Sequence, residues 1–112
     1  MTVFEKIAAR EIPAKIAFED DDVIAFHDVN PQAPAHVLIV PKRVIPRLAE
    51  TNEFDQPLLG KLVLTAANIA RDLGMSESGY RVVINNGPDA GESVPHLHVH
   101  LLGKRALAWP PG

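Results

Sequence analysis

The segment Pro95-His96-Leu97-His98-Val99-His100-Leu101-Leu102 constrains this chain more than any other part of it. Side chains along an extended strand alternate between its two faces. His96, His98 and His100 therefore share one face, and Leu97, Val99 and Leu101 the other. A helix would scatter the three imidazoles around its circumference. The spacing predicts a strand over His96–Leu102 whose apolar face packs against a core. The imidazole face needs its own explanation, because burying three polar rings is costly unless each finds a partner.

The remaining elements follow from periodicity and punctuation. Val3, Phe4, Ile7 and Ala8 fall at helical spacing behind Thr2, an N-cap residue, and predict a short helix ending before Pro13. Strands are predicted over Lys15–Glu19 and Val23–His27, with the acidic run Glu19–Asp22 as a solvated turn between them. Two prolines keep Asn30–Pro34 out of regular structure. The β-branched run His36–Val40, closed by Pro41, reads as a buried strand. Leu58, Leu62, Thr65, Ala66, Ile69 and Leu73 form the stripe of a long core-packing helix, and Gly74 supplies its stop. Strands over Tyr80–Asn85 and His96–Leu102 flank a glycine-containing loop, Asn86–Gly91. The order predicts an α+β chain: an antiparallel sheet of about five strands with one long and one short helix.

No repeat, low-complexity tract or linker divides the 112 residues, so residues 1–112 read as a single domain. With 46% hydrophobic and 22% charged residues the chain can bury a core. A net charge of −3 argues against a surface dedicated to nucleic acid, while leaving room for a pocket that holds one phosphate. The absence of cysteine excludes disulfides and thiolate metal sites and points to an intracellular setting. Met1 to Arg10 are too few and too charged for a signal peptide, and no apolar run reaches the roughly 20 residues that span a bilayer. The expectation is a cytoplasmic protein without a membrane or nucleic-acid partner.

Three readings of the histidine face compete. The rings could be satisfied by mutual and backbone hydrogen bonds as plain structure. They could bind a metal, since imidazoles at i and i+2 of a strand are good zinc ligands, with His36 or His27 as a further donor. Or one could attack a substrate while its neighbours orient it and move protons. The flanking Asn85, Asn86, Gly91 and Ser93 suit an anion better than a metal, with Glu92 the one acid among them. A glycine-containing loop can also aim backbone N–H groups at one spot, as a nest for phosphate. Phosphate chemistry is favoured.

The run His96-Leu97-His98-Val99-His100-Leu101-Leu102 resembles the His-φ-His-φ-His-φ-φ signature of the histidine triad (HIT) superfamily. Phe4–Ile7, Glu11–Lys15, Ala25–Asp28, Pro31–His36, Asp72–Gly74, Tyr80–Val83, Gly91–Val94 and Trp109–Gly112 extend the likeness to the Hint branch. That resemblance implies a HIT-like fold and a homodimeric purine nucleoside phosphoramidase, using neither metal nor cofactor. Its substrates would be adenosine or guanosine 5′-phosphoramidates, cleaved to AMP or GMP. The alternatives are a dinucleoside polyphosphate hydrolase and a nucleotide-binding scaffold. His98 would be the nucleophile, oriented through the backbone carbonyl of His96. His100 and His36 would surround the phosphoryl oxygens, and Ser93 would reach the phosphate or the leaving nitrogen. Asn85 would meet the sugar–phosphate region, and Asp28 would accept both ribose hydroxyls. Phe26, His27 and Val29, with Phe4 and Ile7, would wall the purine, while Gly91, Glu92 and Val94 complete the nucleotide contacts. The resemblance further implies dimerisation through the sheet/helix edge, with the tail 103–112, Trp109 above all, reaching the partner's active-site region. Two residues depart from the pattern. Glu92 stands where Gln is expected, so its charge should weaken phosphate binding or raise the pH optimum. Pro95, as in bacterial or organellar members, restricts Val94 to extended geometry.

Overall fold

A computed structural model describes all residues, 1–112. A short helix α1 (Val3–Ala8) leads into strands β1 (Ile16–Glu19), β2 (Val23–His27) and β3 (Ala35–Pro41). The long helix α2 (Gln56–Asp72) then precedes β4 (Tyr80–Val83) and β5 (Val99–Gly103). The five strands form one sheet in the order β1-β2-β3-β5-β4, antiparallel throughout. The α+β, HIT-like architecture expected from the sequence is the one observed. No helix is long and apolar enough to cross a membrane.

The helix ends follow local chemistry. Thr2 caps α1: its side chain accepts from the Glu5 N–H, and the Glu5 carboxylate returns a bond to the Thr2 N–H, a capping box. Gly74, at φ +74°, ends α2 in the left-handed region that glycine tolerates. The Gly74 N–H bonds the Arg71 carbonyl, and the Met75 N–H reaches back to Ala70 at 2.8 Å. Met75 is thereby turned into the core.

Alternation sorts the sheet into two faces. Val23, Ala25, Val37, Ile39, Val99 and Leu101 meet α2 through Leu62, Ala66 and Ile69. Ile24, Phe26, Leu38 and Val40 form a second, smaller core with Phe4 and Ile7 of α1. The apolar side of the histidine segment packs under α2 as expected, because Leu97, Val99 and Leu101 all belong to the first core. The imidazoles are left on the α1 side.

β1 begins one residue late, at Ile16, and two predicted strands are shortened by more. β4 stops at Val83 rather than Asn85, and β5 begins at Val99 rather than His96. The second difference has a clear cause. Pro95 sits in a tight turn closed by the His96 N–H on the Val94 carbonyl, and the Leu97 N–H is taken by Ile45. The Pro41 carbonyl at the end of β3 is occupied by the His96 ring. No ladder partner remains for residues 96–98.

Leu62 is 1% exposed at the centre of the larger core. Truncation to alanine should lower unfolding free energy by about 2–5 kcal/mol, measurable by urea denaturation.

Candidate active site

The histidines occupy the α1 side of the sheet at the end of a cavity of about 280 Å³. Phe4, Ile7, Phe26 and Leu38 form its apolar walls, and His98, His100 and Asp28 contribute its polar end. Larger grooves lie elsewhere, one of about 420 Å³ beside Lys42, Arg43 and Lys61. In that groove the charged groups neutralise one another, as Lys61 does with Asp20 and Asp22. This cavity alone joins apolar walls to a cluster of imidazoles.

Each ring's proton can be assigned by counting donors and acceptors. His96 is 1% exposed, with Nε2 2.7 Å from the Pro41 carbonyl and Nδ1 2.8 Å from the Thr2 hydroxyl. A carbonyl only accepts, so Nε2 carries the proton. Burial lowers the pKa of His96 and keeps the ring neutral, so Nδ1 accepts the Thr2 O–H. The His96 carbonyl in turn lies 2.7 Å from His98 Nδ1, which must therefore be the protonated nitrogen of that ring. His98 Nε2 has no partner in the chain, and in the neutral ring it carries the lone pair. Phe4 holds the ring edge-on, centroids 4.9 Å apart.

The second pair follows the same logic. The Gln32 N–H donates to His36 Nδ1 at 3.0 Å, which forces the His36 proton onto Nε2. That N–H points to His100 Nδ1, 2.9 Å away, so neutral His100 carries its own proton on Nε2. The cross-strand register makes the meeting possible: Leu38 faces His100 and His36 faces Leu102, one diagonal step apart. Burial, reinforced by His98 and His36, pushes the pKa of His100 down to about 4. Burial also lowers His36, against the pull of Asp28. The arrangement thus places the His98 ring, with its unbonded Nε2, 5.0 Å centroid to centroid from the His100 ring, whose Nε2 carries an N–H donor. A nucleophile next to a donor for developing negative charge can carry out displacement at phosphorus.

Asp28, His36 and His100 bring three ligand-type atoms within 4.8 Å of one another. The tautomers disfavour a metal there. With the Gln32 N–H on Nδ1, His36 could offer Nε2 to a cation only as an imidazolate.

Of the other residues expected at the site, Ser93, Val94, His27 and Val29 border the cavity, and Val29 is a rim residue at 94% exposure. Alternation along β2 puts His27 on the face of Val23 and Ala25, away from the triad. Asp28 Oδ1 accepts the Asn30 N–H and Oδ2 lies 3.5 Å from His36 Nε2. Asn85, Gly91, Glu92 and Trp109 do not line the cavity. Trp109 is 80% exposed, with the Arg81 guanidinium 5.9 Å from its ring centre.

The expected glycine nest is not formed as such. The N–H groups of Gly91 and Glu92 bond the Pro88 and Gly87 carbonyls, and the Gly87 N–H bonds the Glu92 carboxylate. Those bonds close the loop on itself. Among the N–H groups here without a partner, those of Ser93 and Val94, one step further along, belong to residues that border the cavity. Glu92 is likewise not a bare charge facing phosphate. Arg47 Nε lies 3.0 Å from its Oε1, and Arg47 together with the Gly87 N–H holds the carboxyl below its ordinary pKa. Arg47, Thr2, Gln32 and Pro41 were not legible as site partners, because each acts across a long sequence separation or through backbone atoms.

A largely buried triad of imidazoles, its tautomers set by backbone groups and by His36, facing a pocket on an antiparallel sheet, defines a class of small histidine-centred proteins. The HIT domain profile matches residues 9–107, and the chain belongs to that family. It is 57% identical over 111 residues to an uncharacterized HIT-like protein of Synechococcus elongatus, covering 99% of this chain and 96% of that one. A HIT family hydrolase from Legionella pneumophila superimposes with a TM-score of 0.98 at 46% identity, each chain covered completely. A histidine triad nucleotide-binding protein from Candida albicans gives 0.83 at 30% identity, covering 98% of this chain and 83% of that one.

Two outcomes follow. Free histidine titrates near 6.5 and folded His100 near 4, so between these values the unfolded chain binds a proton that the native chain refuses. His27, His36 and His96 are lowered in the same sense. Thermal stability should therefore fall as pH drops from 6.5 towards 4, with His100 ring resonances titrating last. Glu92 is the opposite kind of group: its lowered pKa contributes stability above the ordinary carboxylate value of 4.5, lost as pH falls through the folded value. Glu92→Gln should melt below the wild type at pH 7, and the gap should close below pH 4.5.

Proposed function

We propose that this protein is a purine nucleoside phosphoramidase, a hydrolase that cleaves the P–N bond of nucleoside 5′-phosphoramidates. The observation that carries the reading is His98, whose Nδ1 is held 2.7 Å from the His96 carbonyl while Nε2 stays unbonded at the cavity's end. The Legionella and Candida relatives, named a hydrolase and a nucleotide-binding protein, support the class.

In the proposed reaction the His98 Nε2 lone pair attacks phosphorus and forms an N–P bond. The bond to the amine breaks, and the amine leaves with the electron pair and takes up a proton. Water then attacks the same phosphorus and gives up a proton, replacing the one the amine took; the His98–phosphorus bond breaks with its electron pair returning to Nε2, and AMP or GMP departs. His100 Nε2–H and the free N–H groups of Ser93 and Val94 would hold the phosphoryl oxygens through charge build-up. His36 acts by fixing the His100 tautomer. The Ser93 hydroxyl, which has no partner in the chain, would meet the phosphate or the leaving nitrogen. Asp28, at the rim, would accept the ribose hydroxyls, and Phe4, Ile7 and Phe26 would enclose the base.

The active form would be a homodimer joined through the β4 edge. Tyr80 and Val82 on that edge are 38% and 37% exposed. The exposed Trp109 would bring tail 103–112 to the partner's active-site region.

His98→Ala should reduce hydrolysis of adenosine 5′-phosphoramidate by about 10³-fold or more while leaving the fold intact. Mass spectrometry of a quenched reaction should find the nucleotidyl group on His98. An adduct on any other histidine would overturn the assignment.

A further inference from the structure

We propose that Thr2 is a positioning residue for the nucleophile, its hydroxyl fixing the tautomer of His96 and, through the His96 carbonyl, the orientation of His98. The inference rests on the hydrolase reading for its kinetic consequence, but not for its structural one.

Thr2 has two tasks that meet at one oxygen. As the α1 N-cap, Oγ1 accepts the Glu5 N–H at 3.1 Å. Its own proton is then free to be donated, and His96 Nδ1 lies 2.8 Å away, across 94 residues of sequence. The ring is enclosed on every side. Thr2 and Glu5 face it from α1, the Pro41 carbonyl from the end of β3, and Phe4 packs against it with centroids 5.6 Å apart. His98 is the neighbouring titratable group. Neither ring nitrogen reaches solvent, so each must be satisfied within the protein, and only one neutral tautomer satisfies both.

The same ring anchors the backbone that holds His98. His96 lies before β5 begins, so no ladder bond keeps its peptide in place. Its position comes instead from the two ring bonds, the turn around Pro95 and the Leu97 N–H, which bonds the Ile45 carbonyl at 2.7 Å. Its carbonyl is the one acceptor of His98 Nδ1–H. Loss of the Thr2 donor leaves a buried acceptor unpaired. The ring must then take up a proton or turn, and either change reaches His98: the first as a positive charge beside a nucleophile about to become cationic, the second as a displaced carbonyl. Phe4 adds a link to substrate, since it touches both His96 and His98 and also walls the cavity.

Three variants separate positioning from capping. Thr2→Ser keeps hydroxyl and cap. Thr2→Val removes both. Thr2→Asp keeps a strong cap but presents only an acceptor to His96. Ring-nitrogen correlation NMR on ¹⁵N-histidine protein should show wild type and Thr2→Ser with His96 as the Nε2–H tautomer. In Thr2→Asp, Nδ1 of His96 should become protonated at neutral pH. With adenosine 5′-phosphoramidate, kcat should fall at least about tenfold in Thr2→Val and Thr2→Asp with KM nearly unchanged, and recover in Thr2→Ser. A capping role alone predicts that Thr2→Asp behaves as wild type, and that result in both readouts would overturn the proposal. So would an unaltered His96 tautomer in Thr2→Asp. Should wild type not hydrolyse the phosphoramidate, the hydrolase reading fails while the NMR comparison still decides the role of Thr2.

Discussion

The pairing of β3 with β5 is the contact on which the other features rest. It sets Ile39 opposite Val99 and Val37 opposite Leu101, so one face of both strands enters the core beneath α2. By the alternation of a strand, the opposite face carries His36 and His100 one diagonal step apart, close enough for their rings to bond at 2.9 Å. A slip of one residue would send the imidazoles into the apolar core and Leu101 to the cavity. The hydrophobic pattern that forbids that slip therefore also aligns the site.

Backbone groups, more than side chains, set the protonation of the site. The Pro41 carbonyl, the His96 carbonyl and the Gln32 N–H each occupy one nitrogen of one ring. These groups cannot change charge with pH, so the tautomers they impose are as rigid as the fold that carries them. Burial lowers His36, His96 and His100 together, which favours the neutral rings whose Nδ1 atoms accept hydrogen bonds. The short helix α1 completes the arrangement. Its Phe4 and Ile7 make the cavity wall, and its cap reaches the most deeply buried histidine.

Glu92 illustrates how sequence and structure divide the work. Read in sequence it is a lone acid beside a phosphate loop, and repulsion is the natural expectation. In the fold it is the partner of Arg47, 45 residues away, and of the Gly87 N–H, so its charge braces the loop. The glycines beside it were legible as turn-formers, and Gly87 and Gly91 do adopt positive φ. Which N–H groups the turn leaves free was not legible. That depends on which carbonyls the closed loop offers, and the free N–H groups that border the cavity are those of Ser93 and Val94.

Local rules were enough for the elements. The N-cap at Thr2, the apolar stripe of α2 with its Gly74 stop, and the strands around Ala25 and Leu38 all follow from side-chain periodicity and backbone preference. The alternation at His96–His100 determined that three imidazoles share a face, and the likeness to the HIT signature singled out His98. Only tertiary structure decided which nitrogen of each ring is bare. A tautomer is chosen by the group opposite the ring, and here those groups come from α1, from the end of β3 and from the loop before it. Their approach is governed by how the sheet and helices pack, a long-range outcome that no local pattern encodes.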